Sequence, residues 1–226
     1  MEESFAIKPI AHIESDFGTK FGIPRQPGLV DSLEATVVFE KEYRNEDALR
    51  GIGGFSHIWL IWQFSENVGK EWSPTVRPPR LGGNTRMGVF ATRSTFRPNS
   101  LGLSCVRLLR TEKTADRGTV LIVSGADLMN GTPVFDIKPY IPYSDCIPEA
   151  SCGFAPEPKP ELSVEIEKNI LEKIPENKRE ALKGVLACDP RPRYLDDPER
   201  IYGMEFAGHD VRFRVKENFL TVVEIV

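Results

Sequence analysis

The sequence predicts a mainly β protein: a closed β-barrel N-terminal domain over residues 1–143, a proline-rich linker over 144–160, and a small α+β C-terminal domain over 161–226. Three observations carry this prediction. Upstream, short apolar runs recur between Gly, Pro and Asn punctuation with almost no helical periodicity, the pattern of many short strands. Pro148, Pro156, Pro158 and Pro160 then crowd one stretch, and proline, which lacks an N–H donor and fixes φ, disfavours regular pairing there. Beyond it, apolar residues spaced by four give way to strict alternation, a helical period followed by a strand period.

In chain order, strands are expected at 5–13, 35–39, 55–64, 87–92, 101–109, 119–123 and 134–137, with one helical turn at 45–49 before Gly51. Closure into a barrel lets many short strands pair without leaving exposed edges. Leu162, Ile166, Ile170 and Ile174 predict one amphipathic helix ending at Pro175, and Ala181, Leu182, Val185 and Leu186 a second before Asp189-Pro190. Tyr202, Met204 and Phe206, then Val211, Phe213 and Val215, then the run 219–226 predict a three-stranded meander.

Composition bounds the function. With 40% hydrophobic and 27% charged residues over 226 positions the chain reads as globular. A net charge of -4 gives no overall positive field to attract nucleic acid. Cys105, Cys146, Cys152 and Cys188 form no C-x-x-C pair, so no zinc knuckle or thioredoxin-type centre is signalled and no metal is expected. The acidic start Met1-Glu2-Glu3-Ser4 lacks the pattern of a secretory signal, which predicts a cytoplasmic protein. The apolar run near 58–62 falls far short of the roughly 20 residues that span a bilayer, so no membrane segment is expected.

The stretch 72–111 holds Arg77, Arg80, Arg86, Arg93, Arg97, Arg107 and Arg110 with no Asp, Glu or Lys. Arginine without lysine points to bidentate recognition of phosphate or carboxylate; pairing with carboxylates elsewhere in the chain is the alternative. Gly83 to Gly88 has phosphate-loop spacing, but Val89-Phe90 replaces the Lys-Ser/Thr pair, which excludes a P-loop triphosphatase. His57 lies in a strand apolar on both faces and reads as a core histidine; Trp59 and Trp62 point to opposite faces, toward packing or base stacking. Asn130-Gly131 is a tight-turn signal, flanked by Asp127 and Asp136. Arg212, Arg214 and Lys216 alternate with Val211, Phe213 and Val215, so one face of that strand carries a basic stripe suited to an RNA backbone or simply to solvent. Arg191, Arg193 and Tyr194 add two cations and an aromatic ring nearby.

Pro24-Arg25-Gln26-Pro27-Gly28, Gly54-Phe55-Ser56-His57-Ile58-Trp59, Arg77-Pro78-Pro79-Arg80-Leu81-Gly82-Gly83, Gly88-Val89-Phe90-Ala91-Thr92-Arg93-Ser94, Arg97-Pro98-Asn99 and Gly131-Thr132-Pro133 through Asp136-Ile137-Lys138-Pro139-Tyr140 resemble, in order, the TsaA/TrmO family of tRNA methyltransferases. The resemblance implies a β-barrel that binds S-adenosylmethionine, works as a homodimer, and methylates N6 of threonylcarbamoyladenosine at tRNA position 37. It implies cofactor contacts at Pro24, Arg25, Gln26, Arg93, Leu103, Asp127 and Leu128. The tRNA anticodon stem-loop is then the expected partner of Arg77, Arg80, Arg86, Arg97, Arg191, Arg212 and Arg214. Because the acceptor N6 carries a proton, Asp136 and Tyr140 are the candidate catalytic bases. The sequence departs from the family at Ser65-Glu66, where relatives commonly carry a histidine, at Asn130, often Asp, and at Ser100, commonly Pro. A non-catalytic module that binds RNA or senses S-adenosylmethionine, and a methyltransferase of small anionic substrates, remain alternatives.

Overall fold

The computed structural model describes residues 5–155, 161–191 and 197–226. Pro156, Pro158 and Pro160 of the expected linker, and Arg193 and Tyr194, lie outside them.

Eight strands lie between Phe5 and Ala155: β1 (Ala11–Glu14), β2 (Glu34–Phe39), β3 (His57–Gln63), β4 (Thr75–Val76), β5 (Met87–Gly88), β6 (Leu101–Thr114), β7 (Gly118–Ser124) and β8 (Pro133–Pro139). Six of them pair antiparallel in the order β1-β2-β7-β6-β3-β8, and β8 pairs back onto β1 through Ala11 with Val134 and His12 with Pro133, so the ring of pairing closes. Alternation fills its interior. In β3, Ile58, Leu60 and Trp62 are buried while His57, Trp59, Ile61 and Gln63 face outward. The inward set joins Ala11, Ile13, Val106, Leu121 and Val123 in one core. Trp62 lies opposite Gly102 in the β3–β6 register, and a Cβ at Gly102 would stand 2.3 Å from the indole. Only glycine leaves room for the ring.

The strand edges differ from expectation in ways that backbone chemistry explains. The first strand begins at Ala11 rather than residue 5: Pro9 has no N–H to donate, and pairing takes hold with Ile10 N to Val134 O at 2.8 Å. The strand expected at 87–92 is confined to β5, because Val89–Ala91 turns into a 3-10 helix. β6 runs on to Thr114, past a bulge between Leu108 and Arg110. The expected turn at 45–49 is a 3-10 helix over Glu46–Leu49, capped by the Asn45 side chain.

After a short α1 (Pro142–Asp145) come β9 (Ser163–Glu165), α2 (Lys168–Leu171), α3 (Arg179–Ala187), β10 (Tyr202–Phe206), β11 (His209–Lys216) and β12 (Phe219–Ile225). The sheet order is β10-β11-β12-β9. The helix expected from Leu162 to Ile174 is a correction: residues 163–165 form β9, parallel to β12, and helix survives only as α2. The free edge of β12 satisfies the 163–165 backbone and overrides a four-residue spacing that fits either state. Ala181, Leu182, Val185 and Leu186 of α3 pack as expected, on Phe206, Phe213 and Leu220. This second core also takes in Phe17, Val30 and Leu33 from the segment between β1 and β2.

Candidate functional site

A cavity of about 870 Å³ opens on the outer face of β3 and β6. Its floor is Trp59 and Ile61 of β3 with Leu101, Leu103 and Cys105 of β6. Alternation explains the floor: Gly102, Ser104 and Val106 point inward, so their neighbours must point out. Three other segments build the walls: residues 24–27 from the β1–β2 connection, Thr92, Arg93, Thr95 and Arg97 from the long β3–β6 excursion, and residues 127–129 after β7.

All seven residues expected to touch a cofactor, Pro24, Arg25, Gln26, Arg93, Leu103, Asp127 and Leu128, line this one cavity. Arg93 donates to Gln26 Oε1, and Gln26 Nε2 donates to the Arg25 carbonyl at 2.6 Å. Leu103 is 57% exposed, an apolar side chain presented to the opening. Arg97 also lines it, fixed by the carbonyls of Thr92 at 2.8 Å and Val89 at 3.3 Å with Phe90 stacked at 5.7 Å. Leu128 is buried, its carbonyl accepting from Ser15 Oγ at 2.8 Å.

Asp127 has the most perturbed environment. Burial pushes its carboxyl up to about 6, against the Ser104 hydrogen bond, a bond to its own backbone and the Arg93 charge, all of which favour the ionised form. Ser104 Oγ donates to Asp127 Oδ1 at 2.7 Å while accepting from Trp62 Nε1 at 3.0 Å. This relay through the sheet was not read from the sequence. Its available signal was Ser104, a polar residue at an inward position of a strand whose interior is otherwise apolar. Ser65 and Glu66, which depart from the family pattern, also line the cavity. Asn130 serves the loop: its Oδ1 accepts from Ser15 N at 3.2 Å, and Gly131 takes a φ of 77°.

Asp136 and Tyr140 do not line the cavity. Asp136 pairs with Ile61 one strand outboard of the floor, its carboxylate engaged by Lys138 at 2.9 Å. Tyr140 packs its ring 5.8 Å from Trp59 and 6.1 Å from His57. The half-buried His57 bonds Ser56 Oγ at 2.9 Å.

The remaining arginines are dispersed. Arg77 and Arg80 are exposed around a 3-10 turn, and Arg86 donates to Thr75 Oγ1 at 2.9 Å beside the β4–β5 hairpin. Arg110 ion-pairs with Glu112 at 3.4 Å. Arg212, in the expected basic stripe, is clamped between Asp210 at 2.9 Å and Glu224 at 3.0 Å, whereas Arg214 has no ion pair among the described residues. Arg191 forks onto Asp189. Among the described residues no cluster of three His, Cys, Asp or Glu is placed to hold a metal, and no helix is long and apolar enough to cross a membrane.

The cavity suits S-adenosylmethionine in size and chemistry. Small-molecule sites run to roughly 300–1,000 Å³, the floor is apolar and aromatic, guanidinium groups are present for a carboxylate, and a carboxylate is present for a cation.

The family profile described as tRNA-methyltransferase O N-terminal domain matches residues 12–146, and that of the TrmO C-terminal domain matches 159–226. A tRNA (adenine(37)-N6)-methyltransferase from Escherichia coli is 43% identical over 224 residues, covering 95% of this chain and 94% of the relative. A Pseudomonas aeruginosa relative with S-adenosylmethionine-dependent methyltransferase in its name is 41% identical, covering 92% of this chain and 91% of its own length. The crystal structure of TrmO from Pseudomonas aeruginosa superposes with a TM-score of 0.82 at 33% identity, covering 99% of both chains.

Proposed function

The chain belongs to the TrmO family, and from that premise we propose that its cavity binds S-adenosylmethionine and serves methyl transfer to a tRNA held across the arginine-rich excursion. It is an S-adenosylmethionine-dependent tRNA methyltransferase acting on N6 of adenine 37, beside the anticodon. The observation that supports the site is the convergence of four separated chain segments on one cavity, carrying all seven expected cofactor residues.

When bound, S-adenosylmethionine supplies a methyl group on a positively charged sulfur. Arg25 and Arg93 are the groups we assign to its carboxylate, and Leu103 and Trp59 to its apolar surface. Asp127, rather than Asp136 or Tyr140, is our choice to take the proton from the acceptor N6, because it alone of the three lines the cavity and its carboxyl lies near neutrality. The proposed acceptor is the threonylcarbamoyl form of adenosine. Arg25, Arg93 and Arg97 provide more guanidinium groups than one cofactor carboxylate needs, which leaves one for the threonine carboxylate. Arg77, Arg80 and Arg86 extend this charge toward the anticodon stem-loop, with Arg214 more remote.

The closed ring of six strands is the cofactor-binding barrel in this reading, with 1–143 and 161–226 as the two domains and 144–160 as linker. Phe90 and Phe96, 73% and 47% exposed, together with the outward Leu101 and Leu103, support a second copy covering the cavity mouth as a homodimer. The place of work is the cytoplasm, with its tRNA. The test is incubation of purified protein with labelled S-adenosylmethionine and two tRNA pools, with and without the threonylcarbamoyl group. Label is expected at adenine 37 of the first pool alone. Equal labelling of both would refute the acceptor, and no labelling of either would refute the activity.

A further inference from the structure

A chain of contacts runs from the end of α3 into the cofactor cavity. Asp189 follows α3 with φ 55°, a left-handed conformation, and its N–H closes on Leu186 O at 3.2 Å. Its carboxylate takes Arg191 Nε at 2.8 Å and Nη2 at 3.1 Å, a two-pronged pair whose side chains are only 13% and 20% exposed for Arg191 and Asp189. The Arg191 backbone carbonyl, held by that corner, accepts from Arg25 Nη2 at 3.1 Å. Arg25 in turn presents its carbonyl to Gln26, and Gln26 accepts from Arg93.

The surrounding packing makes this corner a fixed support. Ile23 and Val30, on either side of the cavity segment, pack into the C-terminal core. Gly184 lets α3 approach Val30 so closely that a Cβ there would stand 2.6 Å from Val30 Cγ1. Arg25 also feels the like charge of Arg80, and Asp189 is the carboxylate that offsets it.

We propose that Asp189 and Arg191 are positioning residues for Arg25, through which the C-terminal unit sets the affinity of the cavity for S-adenosylmethionine. The corner thereby differs from an RNA-gripping surface. The Arg191 fork is turned inward onto Asp189, and a phosphate would have to displace a desolvated carboxylate to reach it. The inference rests on the reading of the cavity as the cofactor site.

Titration calorimetry of S-adenosylmethionine into the full chain tests it, alongside the KM for tRNA and the thermal midpoint of each variant. Asp189→Asn removes the charge while keeping a residue type that tolerates a left-handed backbone, and Arg191→Lys keeps the carbonyl while losing the fork. Arg25→Ala is expected to weaken cofactor binding about tenfold, the scale of one charge-assisted hydrogen bond. Asp189→Asn and Arg191→Lys are each expected to weaken it by roughly threefold to tenfold, with the KM for tRNA unchanged within about twofold. Arg25→Ala combined with Asp189→Asn should bind no more weakly than Arg25→Ala alone, a coupling that general loosening of the fold would not give. Wild-type cofactor affinity in Asp189→Asn, additive losses in the double variant, or a raised KM for tRNA with cofactor affinity intact would each overturn the proposal. A wild-type chain that takes up no S-adenosylmethionine would instead overturn the reading of the cavity itself.

Discussion

Asp127 is held between opposing influences: burial raises its carboxyl to about 6, and Ser104, its own backbone and Arg93 pull it down. If it is the base, methylation should fall as pH drops through about 6, and Asp127→Asn should remove both most of the rate at saturating cofactor and that pH dependence. Single-turnover rates across pH check this. Stability carries an independent sign. A carboxyl whose folded value exceeds its unfolded value near 3.8 binds protons more tightly when folded, so its contribution is present below that unfolded value and is lost as pH rises through about 6. Asp127→Asn should therefore stabilise the protein at pH 7.5, on the order of 2 kcal/mol, and the gain should vanish near pH 4 in thermal melts. The sequence reading placed Asp127 beside a turn and among the cofactor contacts implied by the resemblance, and named Asp136 and Tyr140 instead as the bases. Lys138 on Asp136 and Trp59 against Tyr140 are contacts between side chains whose orientation only the folded sheet defines.

Among the elements, β6 does two jobs: its inward face closes the core and its outward face floors the cavity. The hinge between these roles is Gly102 under Trp62. Gly102→Ala is expected to destabilise by about 1–3 kcal/mol as the indole is pushed from its place, and to weaken cofactor binding, since Trp62 donates to the Ser104 that holds Asp127. Denaturant melts and calorimetry on one preparation measure both effects. An unchanged melt would show that the indole finds another site. Strands β2, β3, β7 and β8 were legible as short apolar runs between turn residues, whether their burial then alternates, as in β3, or does not, as in β7. The 162–166 segment was not, because Leu162 and Ile166 satisfy a helical spacing and an edge strand equally, and only the exposed edge of β12 selects between them.

At the scale of the whole molecule, an acidic chain that acts on an acidic polymer carries seven arginines and no Asp, Glu or Lys over residues 72–111, and the proposed tRNA surface draws on that stretch. Replacing Arg77 or Arg86 by Ala should weaken tRNA binding and lower the slope of log affinity against log salt by about one each. Arg212→Ala should leave that slope unchanged, because Asp210 and Glu224 already neutralise it. Filter binding across a salt series separates the two cases. The amino-acid order by itself determined the β-rich class and the concentration of arginine, because alternation and composition are local properties of the chain; seven of the residues around the cavity came only through the resemblance of its motifs to a family. Tertiary structure alone decided which of those residues meet, which arginines are neutralised by an acid distant in sequence, and that Phe17, Val30 and Leu33 belong to the C-terminal core. The reason is that a side chain's partner is fixed by how strands close and helices dock, a relation between segments far apart in sequence that no local pattern encodes.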